Sequence, residues 1–98
     1  LIDKRFTGKG LYLLDEPEAA LSPMKQMAMI SRIHELCNDQ SQFIIATHSP
    51  IILSYPKSTI YQVNESVIEK TTYEDSDVFN VTRNFLNRPK KMLDILLD

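Results

Sequence analysis

The stretch that most constrains this chain is Leu11-Tyr12-Leu13-Leu14, an apolar run that breaks directly into two adjacent carboxylates, Asp15 and Glu16, and then Pro17. Four large apolar residues without alternation predict a strand over Gly10 to Asp15 with both faces covered, as in the middle of a parallel sheet. An ionised carboxylate at the end of such a run is costly unless something positive or hydrogen-bonding meets it. Asp15 therefore has either a cationic partner, such as hydrated magnesium, or a role in capping the next helix and facing solvent. Glu16, one residue on, points elsewhere and has the chemistry to orient a water or accept its proton.

The same design recurs about thirty residues later. Phe43-Ile44-Ile45-Ala46-Thr47 reads as a strand rich in β-branched and aromatic residues, and it ends in His48-Ser49-Pro50. Between the two runs, Ser22-Pro23 announces a helix, because serine offers its hydroxyl as N-cap and proline fits the first helical position. That helix should reach about Asn38. Met27, Ile30, Ile33 and Cys37, with Ala28 and Leu36 beside them, form its packing face; Lys25, Gln26, Arg32, Glu35 and Asp39 take the other side. Strand, helix and strand in this order predict a right-handed βαβ unit whose parallel strands end on one edge. His48 and the acidic pair then share that edge.

Beyond it, Pro50 to Ser54 reads as a short helix stopped by Tyr55-Pro56. Thr59 to Val63 and Val67 to Tyr73 read as a hairpin around Asn64-Glu65-Ser66. A helix follows from Ser76, with Val78, Val81 and Phe85 on one face, and Asn87-Arg88-Pro89 breaks it before a last short helix through Met92, Leu93, Leu96 and Leu97. Thr7-Gly8-Lys9-Gly10, which holds both glycines of the chain, predicts a turn into the first strand.

With 98 residues, 11 Lys plus Arg and 13 Asp plus Glu, the net charge of −2 gives no electrostatic case for a nucleic-acid or membrane partner. The small basic group Arg88, Lys90 and Lys91 is followed by Asp94 and Asp98, as on a solvated helix end. A single cysteine, Cys37, has no intramolecular disulfide partner, which places the expected compartment in the cytoplasm. No apolar run approaches the roughly 18 to 20 residues of a membrane span. The opening on Leu1 rather than methionine predicts an excerpt of a longer protein, residues 1–98 forming one part of a domain.

The residues from Leu13 to Pro23, Leu-Leu-Asp-Glu-Pro-Glu-Ala-Ala-Leu-Ser-Pro, closely resemble the Walker B motif and following D-loop of ABC-type ATPases. Ala46-Thr47-His48-Ser49-Pro50 resembles the switch-histidine loop of the same superfamily. Ser22 stands where transporter motors typically carry an aspartate after the Ala-Leu pair. The form is closer to the non-transporter branch, which includes SMC-like repair ATPases and small bacterial predicted ATPases of the AAA type. Nearly the whole chain shares this likeness, which is to the carboxyl-terminal half of the domain.

The resemblance implies an α/β fold, part of a P-loop NTPase, with a mostly parallel sheet, flanking helices and a C-terminal β-hairpin and helices. It implies ATP binding and magnesium-dependent hydrolysis. Asp15 would coordinate Mg²⁺ directly or through water, Glu16 would be the catalytic base, and His48 would contact the γ-phosphate and the attacking water. The D-loop, Glu18 to Pro23 with Ser22 within it, would lie at the interface of a homodimer of ATPase heads. No G-x-x-x-x-G-K-[ST] loop occurs in the 98 residues, since Gly8-Lys9-Gly10 precedes a strand instead of joining one to a helix, and no Leu-Ser-Gly-Gly-like segment occurs either. Both are expected upstream in the parent, and the 98 residues alone are expected to be inactive and without measurable ATP affinity. The alternatives are the ATP-binding subunit of a transporter, or a nucleotide-gated interaction module without hydrolysis. Nucleic acid is open as a partner of the parent, and DNA repair, phage defence and toxin systems all suit it.

Overall fold

The computed structural model describes residues 10–98, so the turn expected at Thr7-Gly8-Lys9-Gly10 lies, except for Gly10, outside the described residues. The chain divides into two compact units, one ending at Pro56 and the other running from Lys57 to Asp98.

The first unit is the expected βαβ arrangement. β1 (Leu11–Asp15) and β2 (Gln42–Ala46) pair in parallel, with Leu11 opposite Gln42 and Asp15 opposite Ala46. Each boundary falls within one residue of the sequence reading. Between them runs α1 (Pro23–Asn38), whose Ser22 cap accepts a hydrogen bond from the Lys25 N–H at 3.3 Å. The helix closes with a left-handed residue, Gln40 at φ 68. The Leu36 carbonyl accepts the Asp39 and Ser41 N–H groups at 3.1 and 2.9 Å and the Cys37 carbonyl that of Gln40 at 3.1 Å, which satisfies the acceptors at the helix end.

Met29, Ile33 and Ile52 are buried together, with Leu14, Leu21, Cys37, Phe43 and Ile45 packed against them. The face of α1 that packs is therefore Met29, Ile33 and Leu36, at i, i+4 and i+7. Met27, expected inside, is 56 % exposed. The helix is rolled toward Gln26, whose side-chain amide is drawn in because it meets two partners there: it donates to the Leu21 carbonyl at 3.1 Å and its oxygen accepts from the Ser49 hydroxyl.

The expectation that both faces of β1 are covered is corrected. Tyr12 and Leu14 are half-buried, while Leu11 and Leu13 are exposed, Leu13 by 70 %, as is Ile44 on β2. The reason is geometric: the unit places a single helix on the strand pair, and one helix covers one face. Among the described residues the parallel sheet consists of these two strands, a part of the larger sheet that the resemblance implies.

After β2, the short helix expected from Pro50 is a single 3₁₀ turn, Ile52–Ser54. His34 of α1 and Tyr55 after this turn lie 2.8 Å apart, His34 Nδ1 to the Tyr55 hydroxyl, so His34 belongs to packing within the unit.

The second unit begins with the expected hairpin. β3 (Ile60–Asn64) pairs antiparallel with β4 (Val67–Thr71) across a two-residue turn, Glu65-Ser66. Asn64, read as part of the turn, is drawn into the strand opposite Val67. Such tight hairpin turns need a left-handed residue, and Glu65 supplies it at φ 44. α2 (Asp77–Asn87) is capped by Ser76, whose buried hydroxyl accepts from the Phe79 N–H at 3.2 Å and donates to the Tyr73 carbonyl at 2.8 Å. Arg83 lies over the Phe79 ring at 5.3 Å. α3 (Pro89–Leu97) starts on Pro89 at the break expected there. Val81, expected on the packing face of α2, is exposed. No described helix is long and apolar enough to cross a membrane.

Candidate functional site

The parallel ladder fixes what meets at the strand tips. Because Asp15 stands opposite Ala46, the residues that leave the two strands, Glu16 and Thr47-His48, emerge side by side. The Glu16 N–H extends the ladder by one rung, donating to the Ala46 carbonyl at 2.7 Å.

Glu16 is also where the backbone turns. It sits in the left-handed region at φ 44, ψ 56, immediately before Pro17. That conformation costs a non-glycine residue roughly 1–2 kcal/mol, and a following proline normally pushes its neighbour to extended backbone instead. The compensation is local. Pro17 is fully buried and starts a 3₁₀ turn, Pro17–Ala20, so the chain reverses sharply and brings Glu18 back over the tips.

The result is a cluster of three side chains. One ligand-capable atom from each of Glu16, Glu18 and His48 lies within 4.8 Å of the others. His48 Nδ1 is 3.4 Å from Glu16 Oε1, with 80 % of the histidine side chain and 59 % of the glutamate side chain open to solvent. This is a close charge contact, longer than a well-formed N–H···O bond. Both groups are accessible, so neither is committed to the interior.

Glu18 is held differently. Its Oε1 accepts from the Thr47 hydroxyl at 2.7 Å and its Oε2 from the His48 backbone N–H at 2.9 Å. Burial pushes its carboxyl pKa up, but the Thr47 hydroxyl, the backbone N–H groups of His48 and of Glu18 itself, and the nearby imidazole outweigh this and hold it below the usual carboxylate range. On the other side of the histidine, the Ser49 hydroxyl donates to Gln26 Oε1 and accepts from the Ile51 and Ile52 N–H groups at 3.2 and 3.1 Å. Its single donor and both acceptor positions are used.

Of the residues singled out from the sequence, Glu16 and His48 are thus brought together. Asp15 is exposed at the same tip, on the strand face shared by Leu11 and Leu13, and is outside the three-residue cluster. Ser22 is at the start of α1 with its hydroxyl engaged as the cap. From the sequence Glu18 is expected only as part of the D-loop segment Glu18 to Pro23, and Gln26 only on the outer side of α1; their bonds to Thr47, His48 and Ser49 are not foreseen. Glu18 was visible as a third acid just after Pro17, but its partners lie 29 and 30 residues away and only the strand register reveals them.

Asp15 and Glu16 each carry an exposed carboxylate of the oxygen-donor type that a hard cation takes, but the ligand atoms within reach of one another are those of Glu16, Glu18 and His48, and both oxygens of Glu18 already accept hydrogen bonds.

The model of the AAA ATPase domain matches residues 3–53, just over half of the chain. The matched segment takes in β1, the acidic tip, α1, β2 and the histidine loop. No solved structure matches the chain. With the strand tips, their acidic and imidazole groups and the connecting helix all inside the match, the chain belongs to the AAA ATPase domain family.

Proposed function

We propose that this chain carries the Walker B, D-loop and switch-histidine segments of an ABC-type ATPase that binds ATP and hydrolyses it with Mg²⁺. The family match supports an ATPase at the general level. The finer reading rests on one observation, the 3.4 Å approach of His48 to Glu16 across two parallel strand tips. An acid and an imidazole from different strands, both open to solvent, are arranged for a ligand outside the unit.

In this reading the exposed carboxylate of Asp15 holds Mg²⁺, directly or through water. A bound Mg²⁺ supplies charge neutralisation at the phosphate oxygens. Glu16 orients the attacking water and takes up its proton. Its sharp left-handed turn aims the carboxylate away from the strand axis and toward the histidine. His48 donates a hydrogen bond toward the terminal phosphate, and its contact with Glu16 holds the ring over the strand tips. Ser22, in the segment Glu18 to Pro23, lies at the interface of two ATPase heads. The 98 residues contain no phosphate-binding loop, so turnover belongs to the full-length protein.

The test is ATP turnover by the full-length protein with Glu16→Gln. Loss of a positioned general base lowers kcat by about 10²- to 10⁴-fold while ATP binding is retained. Equal turnover by wild type and variant removes Glu16 from the reaction. ATP binding without turnover in the wild type favours the nucleotide-gated interaction module instead.

A further inference from the structure

His48 carries its side chain into solvent, yet its backbone is fastened on both sides, and the fastening on one side comes from a carboxylate that the reaction does not use. Glu18 Oε2 accepts the His48 N–H at 2.9 Å, and Glu18 Oε1 accepts the Thr47 hydroxyl at 2.7 Å. With its one proton given to Glu18, Thr47 Oγ1 in turn accepts the Ser49 N–H at 3.0 Å. The carboxylate therefore orders three consecutive residues, 47 to 49, with the histidine in the middle.

We propose that Glu18 is the positioning residue of the histidine loop, locking the His48 backbone to the turn that carries Glu16; this rests on the assignment of Glu16 and His48 to ATP hydrolysis. The 3₁₀ turn Pro17–Ala20 places Glu16 and Glu18 on one short, sharply bent segment anchored by buried Pro17. One rigid segment thus sets both the base and, through Glu18, the distance at which the imidazole stands from it. Nothing else among the described residues performs this job: Gln26 secures Ser49 from the helix side, but it does not touch Thr47 or the His48 N–H.

A carboxylate of this length fits both donors at once. An amide in its place keeps one oxygen for the His48 N–H, and its N–H₂ is met by Thr47 only if the hydroxyl turns round to accept, so both bonds lose their ionised partner and weaken. An aspartate is one methylene shorter and reaches only one of the two. Loss of either bond lets the loop relax by a fraction of an ångström to an ångström, a displacement that costs up to about 10²-fold in rate when reacting groups are involved.

The experiment uses the full-length protein and measures ATP turnover, ATP affinity and thermal midpoint for Glu18→Gln, Thr47→Val, Thr47→Ser, His48→Ala and the double variant Glu18→Gln with His48→Ala. Glu18→Gln and Thr47→Val are expected to lower kcat by about 10- to 100-fold with KM for ATP within about twofold. Thr47→Ser, which keeps the hydroxyl, regains most of the rate lost in Thr47→Val. The double variant turns over no more slowly than His48→Ala alone, because the carboxylate acts through the histidine. Wild-type turnover by Glu18→Gln overturns the proposal, as does a double variant in which the two losses simply multiply. Should Glu18→Gln fail to fold, the Thr47 pair reads the same tether, and equal rates for Thr47→Val and Thr47→Ser overturn it. The two readings separate cleanly: a normal rate in His48→Ala sinks the role of His48 itself, whereas an inactive His48→Ala beside a fully active Glu18→Gln sinks only the tether.

Discussion

Glu16 and Glu65 have the same backbone angle, φ 44, and are both glutamates in a conformation that favours glycine. They differ in what the chain obtains from it. Glu65 sits in a two-residue hairpin turn where left-handed backbone follows from the twist of the paired strands. Glu16 sits between a strand and a 3₁₀ turn, before a proline, where no hairpin demands it. At Glu65 the strain closes a turn; at Glu16 it aims a carboxylate at His48. Strain at a turn is replaceable, and strain at a site is not.

Substitution by glycine tests that contrast most severely. Glu16→Gly removes both the carboxylate and the strain, so ATP turnover in the full-length protein is expected to fall by at least about 100-fold while stability rises by roughly 0.5–1 kcal/mol. A variant that is both destabilised and inactive would place the defect in folding and break the comparison. Glu65→Gly is the counterpart: about the same gain in stability by urea unfolding and unchanged turnover, since the hairpin turn carries none of the strand-tip groups. A loss of turnover there erases the distinction.

The third acid at the strand tips sharpens the contrast through pH. Because Glu18 has its pKa lowered in the fold, its stabilising contribution is present above the unfolded value of about 4.3 and is lost as pH falls through the lower folded value. The stability difference between wild type and Glu18→Gln should therefore shrink on acidification below about pH 4.5. A difference that is constant across that window means the hydrogen bonds from Thr47 and His48 do not favour the ionised form. The smallest effect is expected at Gln40, the left-handed residue that ends α1, where Gln40→Gly should add about 0.5 kcal/mol in the same unfolding measurement with turnover unchanged.

Much of the architecture was legible because its signals are local. Ser22-Pro23 starts α1, Ser76 starts α2, Arg88-Pro89 separates α2 from α3, and two apolar runs become parallel strands, all through interactions within a few residues. What failed depends on distant partners. Met27 and Met29 are equally apolar, and which one is buried is decided by Gln26 finding Leu21 and Ser49. The unbroken run Leu11 to Leu14 is that of a strand covered on both faces, yet the unit covers one. In the site, Glu16 and His48 were legible from residue type at strand ends. The role of Glu18 was not, since its bonds to Thr47 and His48 exist only once the two strands are in register.

The open face of the strand pair has a practical side. Leu11, Leu13 and Ile44 lie bare together next to strands whose outer edges are unpaired among the described residues, and a net charge of −2 supplies little mutual repulsion. Self-association of these 98 residues through that face is therefore the expected behaviour in concentrated solution. It calls for dilute handling at low salt, and light scattering will rise with concentration before any thermal transition is reached.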